Sequence, residues 1–365
     1  MKTIVREVRF LQRGTLCFGD LYIEDGYLER IDYKTPKPHS DIAVNGFVDL
    51  HTHGLCGIAT ANQDSDALRA LAKEYAKRGT VGFAATLGPM SFSEYEVIFA
   101  AYRKAFQGDP VGARCYGIHL EGPYLNPRQV GEAQHSALME IDLSSFEEFI
   151  RRNHDIIRIV DIAPELAHAQ ETVAMLARYG IRASIAHTQA TYEQGKQALA
   201  WGMHQVTHLC MGMQELNHHQ EGLMDALIES NCLCELNMDG VHVQRPMLKW
   251  LISLLGADRI MAISDGNACG KFNDPQAYAQ DRENMTGGSN KQHGCSYCDL
   301  LDAFQFLYCD CHLPLADCVK MTSVNAGRLL NTLNYEIDLG KKADVAILDH
   351  NAQLKGVIIN GRHSL

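Results

Sequence analysis

The rhythm of apolar and polar positions changes twice along the chain. Residues 1–10 alternate as in a strand. Shorter runs follow at Gly14-Thr-Leu-Cys-Phe18 and Asp20-Leu-Tyr-Ile23, with Glu24-Asp-Gly26 as a turn. The far end returns to the same rhythm: Lys342-Ala-Asp-Val-Ala-Ile-Leu348 and Gly356-Val-Ile-Ile359 read as strands, and Asn360-Gly361 as a tight turn. Two strand-rich ends around a different middle predict one small β-sandwich domain built from residues 1–45 and 335–365.

Residues 46–334 follow another pattern. Eight runs, at about 46–51, 80–86, 113–119, 156–162, 181–186, 204–208, 232–237 and 259–264, read as strands. Segments such as Asp66-Ala-Leu-Arg-Ala-Leu-Ala-Lys-Glu-Tyr-Ala76 and Glu171-Thr-Val-Ala-Met-Leu-Ala-Arg-Tyr179 carry helical spacing and stop at Gly79 and Gly180. Strands alternating with helices predict an α/β fold, a (β/α)8 TIM-like barrel, with its active site at the C-terminal strand ends. Residues 266–294, rich in Gly, Asn and polar side chains, read as a long loop over that rim.

That rim is where the chemistry gathers. His51 ends the first run, Glu121 follows the third, His187 the fifth, His208 the sixth and Asp265 the eighth. His51 and His53, two apart, face the same side of a continuing strand. Singly each residue has a plain structural explanation: a lone His at a strand end is more often hydrogen-bonded than a ligand, and Glu121 could cap the turn at Gly122-Pro123. Together they point to one metal site. A divalent ion held by His and carboxylate lowers the pKa of its water to about 7. Asp265 is the candidate acid-base group, and hydrolysis of an amide or ester is the expected reaction class.

At 365 residues the chain can hold two domains, or one large barrel with an appendage. A composition 46% hydrophobic and 21% charged is that of a globular protein. The formal charge of -11 argues against a nucleic-acid partner, which would call for clustered Lys and Arg. The first residues lack the apolar core of a signal peptide, and no window reaches the roughly 18 apolar residues of a membrane span. The twelve cysteines are scattered, as expected of reduced thiols in a cytoplasmic protein. Cys295-Ser-Tyr-Cys298 has the spacing of half a zinc site or of a redox pair. No second pair accompanies it, so free thiols near a helix start are expected.

The motifs resemble those of the amidohydrolase superfamily and, within it, the N-acetylglucosamine-6-phosphate deacetylases. The resemblance rests on Asn45-Gly-Phe-Val-Asp-Leu-His-Thr-His-Gly54, His119-Leu-Glu-Gly-Pro-Tyr-Leu-Asn-Pro127, Ala186-His-Thr-Gln-Ala-Thr-Tyr192, Thr207-His-Leu-Cys-Met-Gly-Met213, Met238-Asp-Gly-Val-His242 and Gly340-Lys-Lys-Ala-Asp-Val345. It implies a homodimeric enzyme that removes acetate from an N-acetyl amino sugar phosphate, with one or two divalent ions, zinc or iron first. Glu121, His187 and His208 would hold the main ion, His51 and His53 a second, and Asp265 would carry the proton. His242, Met211 and Gly212 fall on the stretches that bind substrate.

Three positions depart from the family pattern. Met211 stands where the family has an Asn. His219 stands where it has an Arg that reaches the phosphate across the dimer interface. Gln189 replaces an Asn or a smaller residue. A His does not grip phosphate as an Arg fork does. A deacetylase of another N-acetyl amino sugar or of an N-acyl amino acid is therefore the alternative, and a non-catalytic scaffold of the same fold a further one.

Overall fold

A computed structural model describes residues 2–108, 112–268, 296–331 and 337–364. The alternating N-terminal residues form β1 (Lys2–Gln12), β2 (Thr15–Glu24), β3 (Tyr27–Tyr33) and β4 (Ile42–Asn45); the runs expected at 14–18 and 20–23 are one continuous strand. From the other end come β15 (Val345–Leu348), β16 (Leu354–Ile359) and β17 (Arg362–His363). They join one seven-stranded sheet in the order β17-β16-β15-β4-β1-β2-β3. Alternation gives this sheet an apolar face, and Val5, Phe10, Leu21, Leu28, Val345 and Ile358 bury it in one shared cluster. That cluster makes the two chain ends a single unit.

The middle of the chain forms the barrel. Its strands are β5 (Phe47–Thr52), β8 (Thr80–Leu87), β9 (Arg114–Tyr124), β10 (Ile157–Ile162), β11 (Arg182–Ile185), β12 (Gln205–Val206), β13 (Leu233–Asn237) and β14 (Ile260–Ile263). A small hairpin, β6 (Gly54–Leu55) and β7 (Ile58–Ala59), follows β5. Each expected strand falls on one of the eight, which pair in parallel in sequence order. The first and last meet at the rim: Asp265 N donates to His51 O at 2.9 Å and His53 N to Gly266 O at 2.7 Å. Lower on the seam the Asp49 carboxylate accepts from Ser264 N at 3.2 Å.

The helices have local causes. α1 (Ser65–Lys77) starts on Asp64, which accepts from Asp66 N, and ends before Gly79, whose φ of 84° few other residues adopt. α2 (Phe92–Ala105) begins with the capping box Ser91 and Glu94. α3 (Leu143–Asn153), α4 (Ala169–Arg178), α5 (Tyr192–Trp201), α6 (Leu223–Ile228) and α7 (Arg245–Leu255) continue the alternation. None of the described helices is long and apolar enough to cross a membrane. Residues 269–294 of the expected rim loop, Cys295 of the Cys295/Cys298 pair, and the boundary expected at 334/335 lie outside the described residues.

Candidate metal centre

His187, His208 and Asp265 leave their strands in the left-handed region, with φ of 42°, 33° and 46°. Residues with a Cβ seldom adopt it, and such strain gathers at functional sites. The turn removes each side chain from the strand's alternation, and the three converge with side chains from β5 and β9. Glu121 lies within β9, which continues to Tyr124, rather than after its end as the sequence suggested.

Glu121 is the hub. Its Oε1 lies 2.9 Å from His187 Nε2 and 3.1 Å from His208 Nε2, and the two imidazole nitrogens are 3.0 Å apart. Its Oε2 lies 3.3 Å from His53 Nε2, which is 3.2 Å from His51 Nε2. Asp265 Oδ1 stands over this second group, 3.4 Å from His51 Nε2 and 3.5 Å from His53 Nε2. Six residues expected from the sequence thus share one site.

The far sides of the rings are anchored. His187 Nδ1 donates to Gln129 O at 2.8 Å, and His51 Nδ1 lies 3.2 Å from Glu235 Oε2, whose other oxygen accepts from Gln205 Nε2 at 2.7 Å. The Gln129 carbonyl fixes the Nδ1 proton of His187, the Glu235 contact anchors the far side of the His51 ring, and both leave Nε2 facing the site, as metal-ligating histidines require. His208 differs: its buried Nδ1 has no partner among the described residues, and its ring is held between those of His51 and His187.

His51, His119 and Glu235 are also close enough to share an ion. Both nitrogens of His119 are already used, by Leu50 O at 3.0 Å and by Asp161 Oδ1 at 2.9 Å. This group is therefore a hydrogen-bond layer beneath the site. It rests on an apolar one, because Ile159 and Leu233, two residues earlier on the faces carrying Asp161 and Glu235, pack with Val48, Ala84 and Met261.

The electrostatics suit a cation. Burial alone would raise Glu121, but hydrogen bonds from His187, His208 and His53 outweigh it and hold the carboxyl well below its usual range. Burial keeps His51 neutral, with its pKa well below 6.5. Asp265 is pushed well above the usual carboxylate range, by burial first and then by the Glu121 charge. An ionised carboxylate and imidazole nitrogens crowded within about 3 Å repel one another unless a proton or a cation lies among them. Two such ligand groups, Glu121 with His187 and His208, and Glu121 with His51 and His53, each fit one divalent ion.

The expected substrate residues are placed less uniformly. Met211 is buried beside the site, its N donating to His208 O at 2.9 Å. Gly212 lies against the His187 ring so closely that an added Cβ would stand 2.6 Å from Nδ1. His242 is closed in, its Nδ1 2.6 Å from Asp239 Oδ2. His219 is on the exposed segment 214–220, its ring tilted at 42° against that of His218 and not hydrogen-bonded to the Glu121 cluster among the described residues.

Sequence reasoning missed Glu235, Asp161, Gln205 and the part played by His119. A signal was present: Glu235 and Asp161 are lone acids inside apolar strands, and a buried charge needs a partner. Nothing in the spacing named the partner.

A model of the amidohydrolase family matches residues 42–363. Among curated relatives, an N-acetylglucosamine-6-phosphate deacetylase of Lysinibacillus sphaericus is 26% identical over 94% of this chain and 92% of its own. An N-acetylgalactosamine-6-phosphate deacetylase of Escherichia coli O157:H7 is 25% identical over 99% of each. Among solved structures, an N-acetyl-D-glucosamine-6-phosphate deacetylase variant from Mycobacterium smegmatis, bound to N-acetyl-D-glucosamine-6-phosphate, superposes with a TM-score of 0.89. It is 23% identical, over 100% of this chain and 99% of that one, a likeness of fold. The family model spans β4, the whole barrel and the C-terminal strands β15–β17, well over half of the sequence, which is decisive: the chain belongs to the amidohydrolase family.

Proposed function

We propose that the protein is a metal-dependent deacetylase that converts N-acetylglucosamine 6-phosphate, or a close N-acetyl amino sugar phosphate, to the free amine and acetate. The convergence of Glu121, His187, His208, His51, His53 and Asp265 carries this reading. The names of its curated relatives support the substrate class. Glu121, His187 and His208 would hold the main ion and His51 and His53 a second, with zinc or iron the first candidates.

When bound, the ion supplies Lewis acidity, lowering the pKa of water and drawing charge from an amide carbonyl. A bound cation would oppose the burial and the Glu121 charge that raise Asp265 and would favour its ionised form; Asp265 then takes the proton from water as the water oxygen adds to the acetyl carbon. It then gives that proton to the nitrogen as the C–N bond breaks, so acetate and the free amine leave. Glu235, through His51, and Gln129, through His187, keep the rings aimed during these steps.

The substrate half is less conventional. Segment 214–221 carries Glu215 and Glu221 and neither Lys nor Arg. That favours, as the second reading, a deacetylase of an N-acetyl amino sugar without phosphate. Acetate release from N-acetylglucosamine 6-phosphate, N-acetylgalactosamine 6-phosphate and unphosphorylated N-acetylglucosamine, before and after chelation, separates the two. Chelation should abolish release from all three, and the phosphorylated sugars should react faster. Equal rates with and without phosphate would transfer the assignment to the second reading.

A homodimer goes with this proposal, because the position matched by His219 serves the neighbouring subunit in the family; sedimentation velocity measures it. Eight of the described cysteines, Cys232, Cys234 and Cys318 among them, are free thiols, which supports a cytoplasmic setting.

A further inference from the structure

The segments leaving β9, β10 and β11 meet at Glu165, a half-buried carboxylate that the proposed chemistry does not use. Its Oε1 accepts from Gln189 N at 2.7 Å and from Asn126 Nδ2 at 2.8 Å, and its Oε2 accepts from the Thr188 hydroxyl. Asn126 and Thr188 belong to the two segments around His187. Asn126 N donates to His187 O at 2.9 Å, and three residues further on Gln129 O takes the proton of His187 Nδ1. One carboxylate thus fastens the segment that carries His187 to the segment that aims it.

A purely local duty for Glu165 is poorly supported. Helix α5 starts with its own capping box, Thr191 with Gln194, and the short turn Pro127–Gln129 is capped by Asn126 Oδ1 on Arg128 N. Neither element needs Glu165 to begin. His187 does need outside support, because its left-handed backbone persists only where the surroundings over-determine it.

We propose that Glu165 is a positioning residue that sets the direction of His187 Nε2 toward Glu121 by clipping the segment after β9 to the segment after β11. This rests on the reading of His187 as a ligand of the main ion.

The test is the zinc dissociation constant of the full chain, measured by chelator competition well below the melting temperature. The variants are Glu165→Ala, Glu165→Gln, Asn126→Asp and His187→Ala. Glu165→Ala should weaken zinc about 10- to 100-fold, the range for residues that orient ligands. Glu165→Gln keeps one acceptor oxygen and should recover part of the loss. Asn126→Asp preserves the cap on Arg128 but sets a carboxylate against Glu165, so it should weaken zinc too; it carries the test if Glu165→Ala does not fold. Wild-type affinity in the Glu165 and Asn126 variants, alongside loss in His187→Ala, would overturn the positioning role and leave the site intact. Unchanged affinity in His187→Ala would overturn the main-site reading itself.

Discussion

His119 Nε2 lies 2.9 Å from Asp161 Oδ1, and solvent reaches neither side chain. The other ring nitrogen also has an oxygen partner, Leu50 O, so both can donate and the ring is an imidazolium. Burial opposes that charge, but the Asp161 carboxylate outweighs it and His119 is pushed up to about 10. Thr207 Oγ1 donates to the same carboxylate oxygen at 2.7 Å, while the other oxygen has no partner among the described residues. Asp161→Asn would leave the imidazolium uncompensated and could bury an amide without an acceptor. We expect a loss of about 3 kcal/mol or more in urea unfolding of the metal-free protein, in line with broken buried ion pairs. A loss under about 1 kcal/mol would mean that His119 is neutral.

Asp265→Asn should separate chemistry from binding. The amide keeps the shape of the carboxylate above His51 and His53, while Glu121, His187 and His208 are untouched. Loss of the proton carrier should lower kcat by about 10²-fold or more, the usual contribution of general acid-base catalysis. Metal content should stay at the wild-type level. Turnover that survives the substitution removes Asp265 from its role.

Glu121→Gln acts on the other half of the site. Three imidazoles share this carboxylate, so neutralising it should weaken metal binding and activity together. Chelation of the wild-type protein should give the same loss of activity, reversible on adding zinc. Full metal occupancy in Glu121→Gln, measured by plasma emission, would show that the ion is held elsewhere.

The barrel was legible because each strand is a short apolar run, and His51, His187, His208 and Asp265 sit at or just past the ends of such runs. The expected 232–237 became Leu233–Asn237, and the expected 80–86 became Thr80–Leu87. Alternation could not show that β9 continues past Glu121, because Gly122 and Pro123 read as a stop. Nor could it pair Glu235 with His51, or Glu165 with Thr188. Those contacts depend on strand register around the barrel and on the loops above it, which periodicity along one strand does not encode. His219 shows the limit from the other side: its match rested on an assembly that one chain does not contain.

In the small domain, acid should act through Asp20. β1 bulges at Glu7, where φ is 53°, and the freed Glu7 N donates to Asp20 Oδ1 at 2.8 Å while Lys34 Nζ reaches Oδ2 at 2.8 Å. Burial would raise the Asp20 carboxyl, but these donors outweigh it and hold the pKa below its usual value. A depressed carboxylate contributes stability that is complete above the unfolded value of about 3.9 and is lost as pH falls through the folded one. Asp20→Asn should therefore cost about 1 kcal/mol at pH 7. The difference from wild type should shrink toward pH 3 in urea unfolding. A difference constant with pH would assign the effect to shape rather than charge.

Gly212 tests how tightly the His187 ring is held. Its φ is 56°, its carbonyl accepts Thr188 N at 2.8 Å, and a Cβ there would stand 2.6 Å from His187 Nδ1. That nitrogen is the one that donates to Gln129 O, so the ring cannot retreat without losing the bond that fixes its proton. Gly212→Ala must therefore shift the ring or the backbone, and either moves Nε2 away from Glu121. Substrate contact at Gly212 would instead raise KM and leave the ion alone. We expect zinc affinity to fall by about tenfold, as for other losses of ligand support, with kcat falling as occupancy falls and recovering in excess zinc. Unchanged zinc affinity with a raised KM would return Gly212 to the substrate side of the site.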